Sequence, residues 1–276
     1  MTNTYTCSSE EFLRNSRIPV RVLEDADAIH EEMAEIMAKT IEDKKGKHTF
    51  IICPVGPIDQ YPLFVKKVNE RNISLKNVYF VNMDEYLTDD DKHISPDSSL
   101  SFVGFMERTV YSKIKPELLM PPEQRLFPVP GHEAELDALI EELGSADCCL
   151  TGVGINGHIA FNESALPDED ITDEEFSKLG TRCLDLSRDT IVNNGGRKIY
   201  GALDLMPKRC ITLGMRQLLK CRNFKIYLFQ PWQWGIMRKI ALEAPSRFAP
   251  ASLLQNVPGS EMVISRAMLD IAISYK

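Results

Sequence analysis

Two short segments of the chain concentrate side chains that can move protons. Tyr79 to Leu87 reads YFVNMDEYL, and Thr151 to Glu163 reads TGVGINGHIAFNE. In the first, an apolar run leads straight into Asp84 and Glu85. A carboxylate just past the end of a buried strand is partly desolvated, which raises its pKa and suits it to act as a general base. The same position also suits an Asp that caps the next helix. In the second, His158 stands among small residues, which let a substrate lie close against backbone, and Glu163 comes five residues later. The spacing of Gly152, Gly154 and Gly157 imitates a dinucleotide fingerprint. That fingerprint needs a long helix opening in the loop and an acidic residue about twenty positions on. The chain continues instead into Ala160-Phe161-Asn162-Glu163 and an acidic loop, so no nicotinamide cofactor is expected. His30, His48, His93 and His132 fall on predicted helix or loop surfaces with no chemical partner.

A third set is cationic: Arg182, Arg188, Arg197, Lys208, Arg209 and Arg216 in the C-terminal half. The 276-residue chain carries a net charge of -8, which argues against sequence-independent nucleic-acid binding, since phosphate backbones are held by clustered Lys and Arg. An anionic substrate would need a local cationic pocket, and one or two of these residues could form it. No window approaches the length of apolar sequence that a membrane span requires, and the N-terminus is polar and acidic where a signal peptide would be basic and then apolar. A cytoplasmic protein is the expectation. Seven cysteines in no C-x-x-C pairs read as free, mostly buried thiols, with no metal site.

These residues must be positioned by an α/β framework. Apolar β-rich runs alternate with segments of helical periodicity, the pattern of a mostly parallel sheet. Strands are predicted at Pro19 to Leu23, Thr49 to Pro54, Asn77 to Asn82, Cys148 to Val153, Cys210 to Leu213 and Asn223 to Phe229. Helices are predicted at Ala26 to Asp43, Tyr61 to Arg71, Ser101 to Ile114, His132 to Leu143, Met215 to Leu219 and Trp234 to Glu243. Glu261 to Ser274 fits strand, helix or both. The acidic stretches Leu87 to Ser99 and Leu166 to Lys178 read as surface loops or lids. No repeat or composition shift divides the chain, so residues 1–276 are read as a single domain. In a parallel sheet, loops leaving the carboxyl edge form the ligand crevice, and the segments carrying Asp84 and His158 both leave predicted strands.

Taken together, VNMDEYL, SFVGFMERTVY, TGVGINGHIAFNE and MPKRCITLGMRQLL resemble the glucosamine-6-phosphate deaminase/isomerase family, which shares a superfamily with the 6-phosphogluconolactonases. They occur in that family's order and at close to its spacing. The resemblance implies a Rossmann-like, doubly wound fold with helices on both faces of the sheet. It also implies aldose–ketose isomerisation of an amino-sugar phosphate with release of ammonia, and no metal or organic cofactor. It places Asp84 as the base that moves a proton between C2 and C1. His158 becomes the acid/base group that opens the sugar ring, and Glu163 its supporting carboxylate. Lactone hydrolysis and non-catalytic sugar binding are the alternatives. The partner is a small sugar or sugar phosphate, with neither nucleic acid nor membrane, and a homo-oligomer is compatible with the reading.

The chain departs from the family at four places. Asn156 stands where the family has an Asp beside the histidine, so ring opening would be organised differently. Pro54-Val55-Gly56-Pro57-Ile58-Asp59 replaces a Gly-Gly-Thr-Pro type phosphate turn; its prolines remove backbone donors and Asp59 adds negative charge. Trp234 occupies the aligned position of a phosphate-binding lysine, and Leu184, near Arg182, that of a lysine in the activator site. The expected binding residues are Val55, Gly56, Glu85, Gly157, Arg197 and Trp234, with Trp232 and Trp234 able to stack on a sugar ring.

Overall fold

The computed structural model describes residues 4–271. Strands β1 (Val20–Leu23), β2 (Thr49–Cys53), β3 (Val78–Asn82), β4 (Asp84–Leu87), β5 (Arg125–Leu126), β6 (Cys148–Thr151), β7 (Arg182–Asp185), β8 (Arg209–Thr212), β9 (Phe224–Leu228) and β10 (Glu261–Ser265) form two sheets. The larger is fully parallel, in the order β1-β10-β9-β6-β2-β3-β5, and the smaller is antiparallel, in the order β4-β8-β7. The helices are α1 (Ser9–Asn15), α2 (Ala26–Asp43), α3 (Gln60–Arg71), α4 (Phe102–Thr109), α5 (Glu133–Leu143), α6 (Asp173–Ser177), α7 (Arg188–Lys198), α8 (Met215–Leu218), α9 (Trp234–Leu242) and α10 (Ala267–Asp270).

Successive side chains of a strand point to opposite faces, and the central strands are apolar on both. Ile51, Cys53, Phe80, Cys148, Leu150 and Tyr227 join one buried cluster with α2 and α3. Phe50, Ile52, Val81, Cys149, Ile226 and Leu228 join another with α1, α5 and α9. The sheet is therefore covered by helices on both faces, a doubly wound, Rossmann-like α/β fold. All seven cysteines are free, five of them buried. No helix among the described residues is long and apolar enough to cross a membrane.

The strands predicted from apolar runs all form, within one or two residues at their ends, and so do the six predicted helices. Three strands and three helices go beyond the prediction. One residue past β3 the chain turns into β4 and leaves the parallel sheet for the antiparallel one. Strand β7 is half-exposed and β5 has only two residues. The acidic stretch Leu166 to Lys178 contains α6, started by a Thr172–Glu175 capping box. Helices α1 and α7 are likewise capped by Ser8 and Ser187. Glu261 to Ser274 proves to be a strand followed by a short helix, with its last three positions outside the described residues.

Candidate active site

Strand β2 is flanked by β3 on one side and β6 on the other, so the chain winds in opposite directions from this point and a crevice opens at the carboxyl edge. A cavity of about 480 Å³ lies there. It is lined by the segment after β2 (Pro54 to Asp59), by Asp84, by the loop after β6 with His158, and by Arg197 and Lys198 at the end of α7. His30 of α2 and Phe229, Gln230, Trp232 and Gln233 after β9 complete the lining.

Asp84 opens β4, pairs with Thr212 of β8 and is buried. Its position is fixed through Met83, whose N–H donates to Cys53 O at 3.0 Å and whose carbonyl accepts from Leu213 N at 2.7 Å. Burial, reinforced by the neighbouring Glu85 charge, pushes the Asp84 carboxyl up to about 8, and the Lys198 ammonium pulls it partly back. Glu85 points elsewhere. Its carboxylate accepts from Tyr86 N, Ser101 Oγ, Phe102 N and Val103 N at 2.8–3.0 Å, holding the amino end of α4. Glu85 is thus absent from the cavity lining, where it was expected to bind substrate.

His158 sits on bare backbone: a Cβ added to Gly154 would lie 2.0 Å from its Nε2, so only glycine leaves room for the ring. Nδ1 faces Asn156 Oδ1 at 2.9 Å, Thr190 Oγ1 at 3.2 Å and Glu163 Oε2 at 3.3 Å. With oxygen acceptors clustered there, the ring carries a proton on Nδ1 and turns Nε2 free toward the cavity. Asn156 also donates to Glu163 at 2.5 Å, and Glu163 accepts from Ser187 N, Ser187 Oγ and Thr190 Oγ1. Burial opposes the Glu163 charge, but His158 and these hydrogen bonds outweigh it and hold the carboxyl down to about 2. The negative charge that Asn156 cannot supply is therefore present on Glu163.

Of the expected binding residues, Val55, Gly56 and Arg197 line the cavity. The Arg197 guanidinium lies 4.7 Å over the Trp232 ring. Trp234 does not line it. It is buried at the start of α9, with Arg238 4.6 Å over its ring and Tyr5 alongside, and belongs to the core. Trp232 is the tryptophan in the cavity wall. Gly157, at φ +90°, is a turn residue outside the cavity lining, and a Cβ added to it would lie 2.9 Å from Ala249 Cα.

Comparison with known proteins places this geometry among relatives. No protein-family model matches the chain. It is 28% identical over 204 residues to the glucosamine-6-phosphate deaminase of Mycoplasma mycoides, covering 73% of this chain and 76% of that one. It is 25% identical over 238 residues to that of Clostridium perfringens, covering 82% and 89%. A solved monomeric glucosamine-6-phosphate deaminase shares the fold with a TM-score of 0.77 at 23% identity, covering 91% of this chain and 98% of its own. A 6-phosphogluconolactonase from Shewanella baltica aligns with a TM-score of 0.60 at 17% identity, covering 89% and 96%. The chain is similar in sequence to the deaminases and shares the fold of both sets of solved structures.

Two cavity residues escaped the sequence reading. Lys198 follows Arg197 and reaches over the Phe102 ring at 4.6 Å and the Tyr86 ring at 5.8 Å. It stays accessible from the cavity, yet the enclosing walls lower its pKa to about 8, with the Asp84 carboxylate pulling the other way. Its signal was helical spacing: Thr190, Asn194 and Lys198 share one face of α7, and they touch His158, Tyr86 and the Tyr86–Phe102 pair respectively. His30 is buried rather than on the surface, and lies on the helix face of Met33, Ala34, Met37 and Ile41. Arg182, aligned with the activator site, donates instead to Asn162 and Gly180 O.

Proposed function

We propose that the chain isomerises and deaminates an amino-sugar phosphate by acid/base catalysis without a metal or organic cofactor. The observation that carries the reading is a carboxyl poised near 8, Asp84, in the same cavity as a histidine whose second nitrogen is free. A base with a pKa near working pH combines a sizeable ionised fraction with real proton affinity. His158 Nε2 shuttles the proton that opens the pyranose ring, and Glu163, held ionised, stabilises the imidazolium through Asn156 and directly. Asp84 then takes the C2 proton of the open-chain aldose and returns it to C1 through an enolamine. The resulting C2 imine adds water and expels ammonia, leaving the ketose phosphate. Arg197, stacked on Trp232, supports binding of the phosphate, and the Val55-Gly56 turn supports close approach of the sugar.

The test is ammonia release across hexosamines and hexosamine 6-phosphates, with solvent exchange of the C2 proton followed by NMR. Asp84→Asn is expected to abolish that exchange, and unchanged exchange would remove Asp84 as the base. Hydrolysis of a sugar lactone without ammonia release would favour the lactonase reading, and binding without any turnover the non-catalytic one.

A further inference from the structure

His30 and Asp59 form a second polar centre in the cavity, away from the proton-transfer groups. His30 lies in the middle of the buried face of α2, where helical spacing calls for an apolar residue. Its side chain is 9% exposed, packed edge-on against Phe229 with ring centroids 5.0 Å apart. Its Nε2 is buried without a hydrogen-bond partner and the residue lines the cavity. A buried polar atom left unpaired costs folding free energy, and a ligand group is what would satisfy it.

An Asp59 oxygen lies 3.9 Å from Nε2, too far for a direct hydrogen bond. Asp59 occupies the N-cap of α3, yet its side chain caps nothing and is 71% exposed. The gap is the right size for one oxygen in contact with both, since an atom about 2.8 Å from each fits between groups so spaced. A phosphate there would meet the Asp59 charge. A hydroxyl would not, because it accepts from the imidazole N–H and donates to the carboxylate.

The place in the fold fits the tail of the substrate. Asp84 follows β3 and Phe229 follows β9, three strand spacings apart along the carboxyl edge, or about 14 Å between backbones. We propose that His30 and Asp59 are a specificity pair that reads the C4 hydroxyl of the sugar, which is free in both the ring and the open-chain form and lies toward the phosphate held by Arg197. This rests on the amino-sugar phosphate reading above.

The test is calorimetric binding of two non-reacting alditols, 2-amino-2-deoxyglucitol 6-phosphate and its 4-deoxy counterpart. The parent protein is expected to bind the 4-deoxy compound about tenfold more weakly. His30→Phe keeps the ring packing, and Asp59→Ala changes an exposed side chain with no cap bond; each is expected to bind both alditols equally, at the weaker level. Asp59→Asn, which keeps an acceptor, is expected to retain part of the discrimination. Binding by the parent without discrimination, or discrimination that survives both His30→Phe and Asp59→Ala, overturns this proposal alone. Failure of the parent to bind either alditol overturns the sugar-phosphate reading and the proposal with it.

Discussion

Asn156 bridges His158 and Glu163 with both ends of its amide engaged, the oxygen 2.9 Å from His158 Nδ1 and the nitrogen 2.5 Å from Glu163 Oε2. An amide fits between a donor and an acceptor in a way a carboxylate cannot. Asn156→Asp would set two carboxylates in contact, and one must then be held well above its unfolded pKa. Such a group stabilises the fold below its unfolded pKa near 4, and that contribution disappears as pH rises through the raised value. The variant is expected to melt with the parent near pH 4 and to be about 1–3 kcal/mol less stable at pH 7–8. Thermal melts across pH check this, and a uniform deficit at every pH would contradict it.

Asp84 carries the same sign in the parent. Its folded pKa of about 8 lies above the ordinary value of 3.8, so ionisation between those limits works against folding. Asp84→Asn is therefore expected to leave stability unchanged near pH 4 and to raise Tm at pH 8–9, while removing activity. A Tm that falls at every pH would show that the carboxylate is a structural anchor instead.

Lys198 lowers the pKa of Asp84, and the charges acting on Lys198 in turn are those of Asp84, Arg197 and Glu85. Lys198→Met is expected to move the pH dependence of kcat/KM to higher pH, since the base is ionised only further up the scale. At pH 7 the loss would be about 3–10-fold, shrinking above pH 9. A pH–rate profile of both proteins decides, and an equal loss at all pH values would assign Lys198 to binding alone.

The two tryptophans separate binding from packing. Trp232→Ala removes a half-buried ring beneath Arg197 and is expected to raise KM severalfold with little change in Tm. Trp234→Ala empties a core position and is expected to cost about 3–5 kcal/mol of stability. Steady-state kinetics beside melting curves check the pair. The reverse pattern would return Trp234 to the site.

The parallel framework was legible because its strands are apolar on both faces and recur between amphipathic helices. Asp84, His158 and Glu163 were legible because they sit in motifs where strands end. What stayed hidden depends on tertiary packing. Helix α7 contains Asn193-Asn194-Gly195-Gly196, a poor helix sequence on propensity, yet Gly195 packs tightly against Leu203 and Met206 and Ser187 caps the start. With the helix unread, Lys198 had no face to belong to. Glu85 and Trp234 were overread, since adjacency to a motif says nothing about which way a side chain turns. His30 could have been found, because the spacing that marked Met33, Met37 and Ile41 also includes it.

Met83, the one residue between the parallel and antiparallel sheets, is tied to β2 by its N–H and to the residue after β8 by its carbonyl. Asp84 therefore hangs from a mechanical joint. Any shear of one sheet against the other carries Asp84 sideways relative to His158, which rides on the loop leaving β6. The proposed alignment thus serves as a strain gauge for that seam, and heating or denaturant is expected to silence the proposed reaction at the first slip, while the central sheet is still intact.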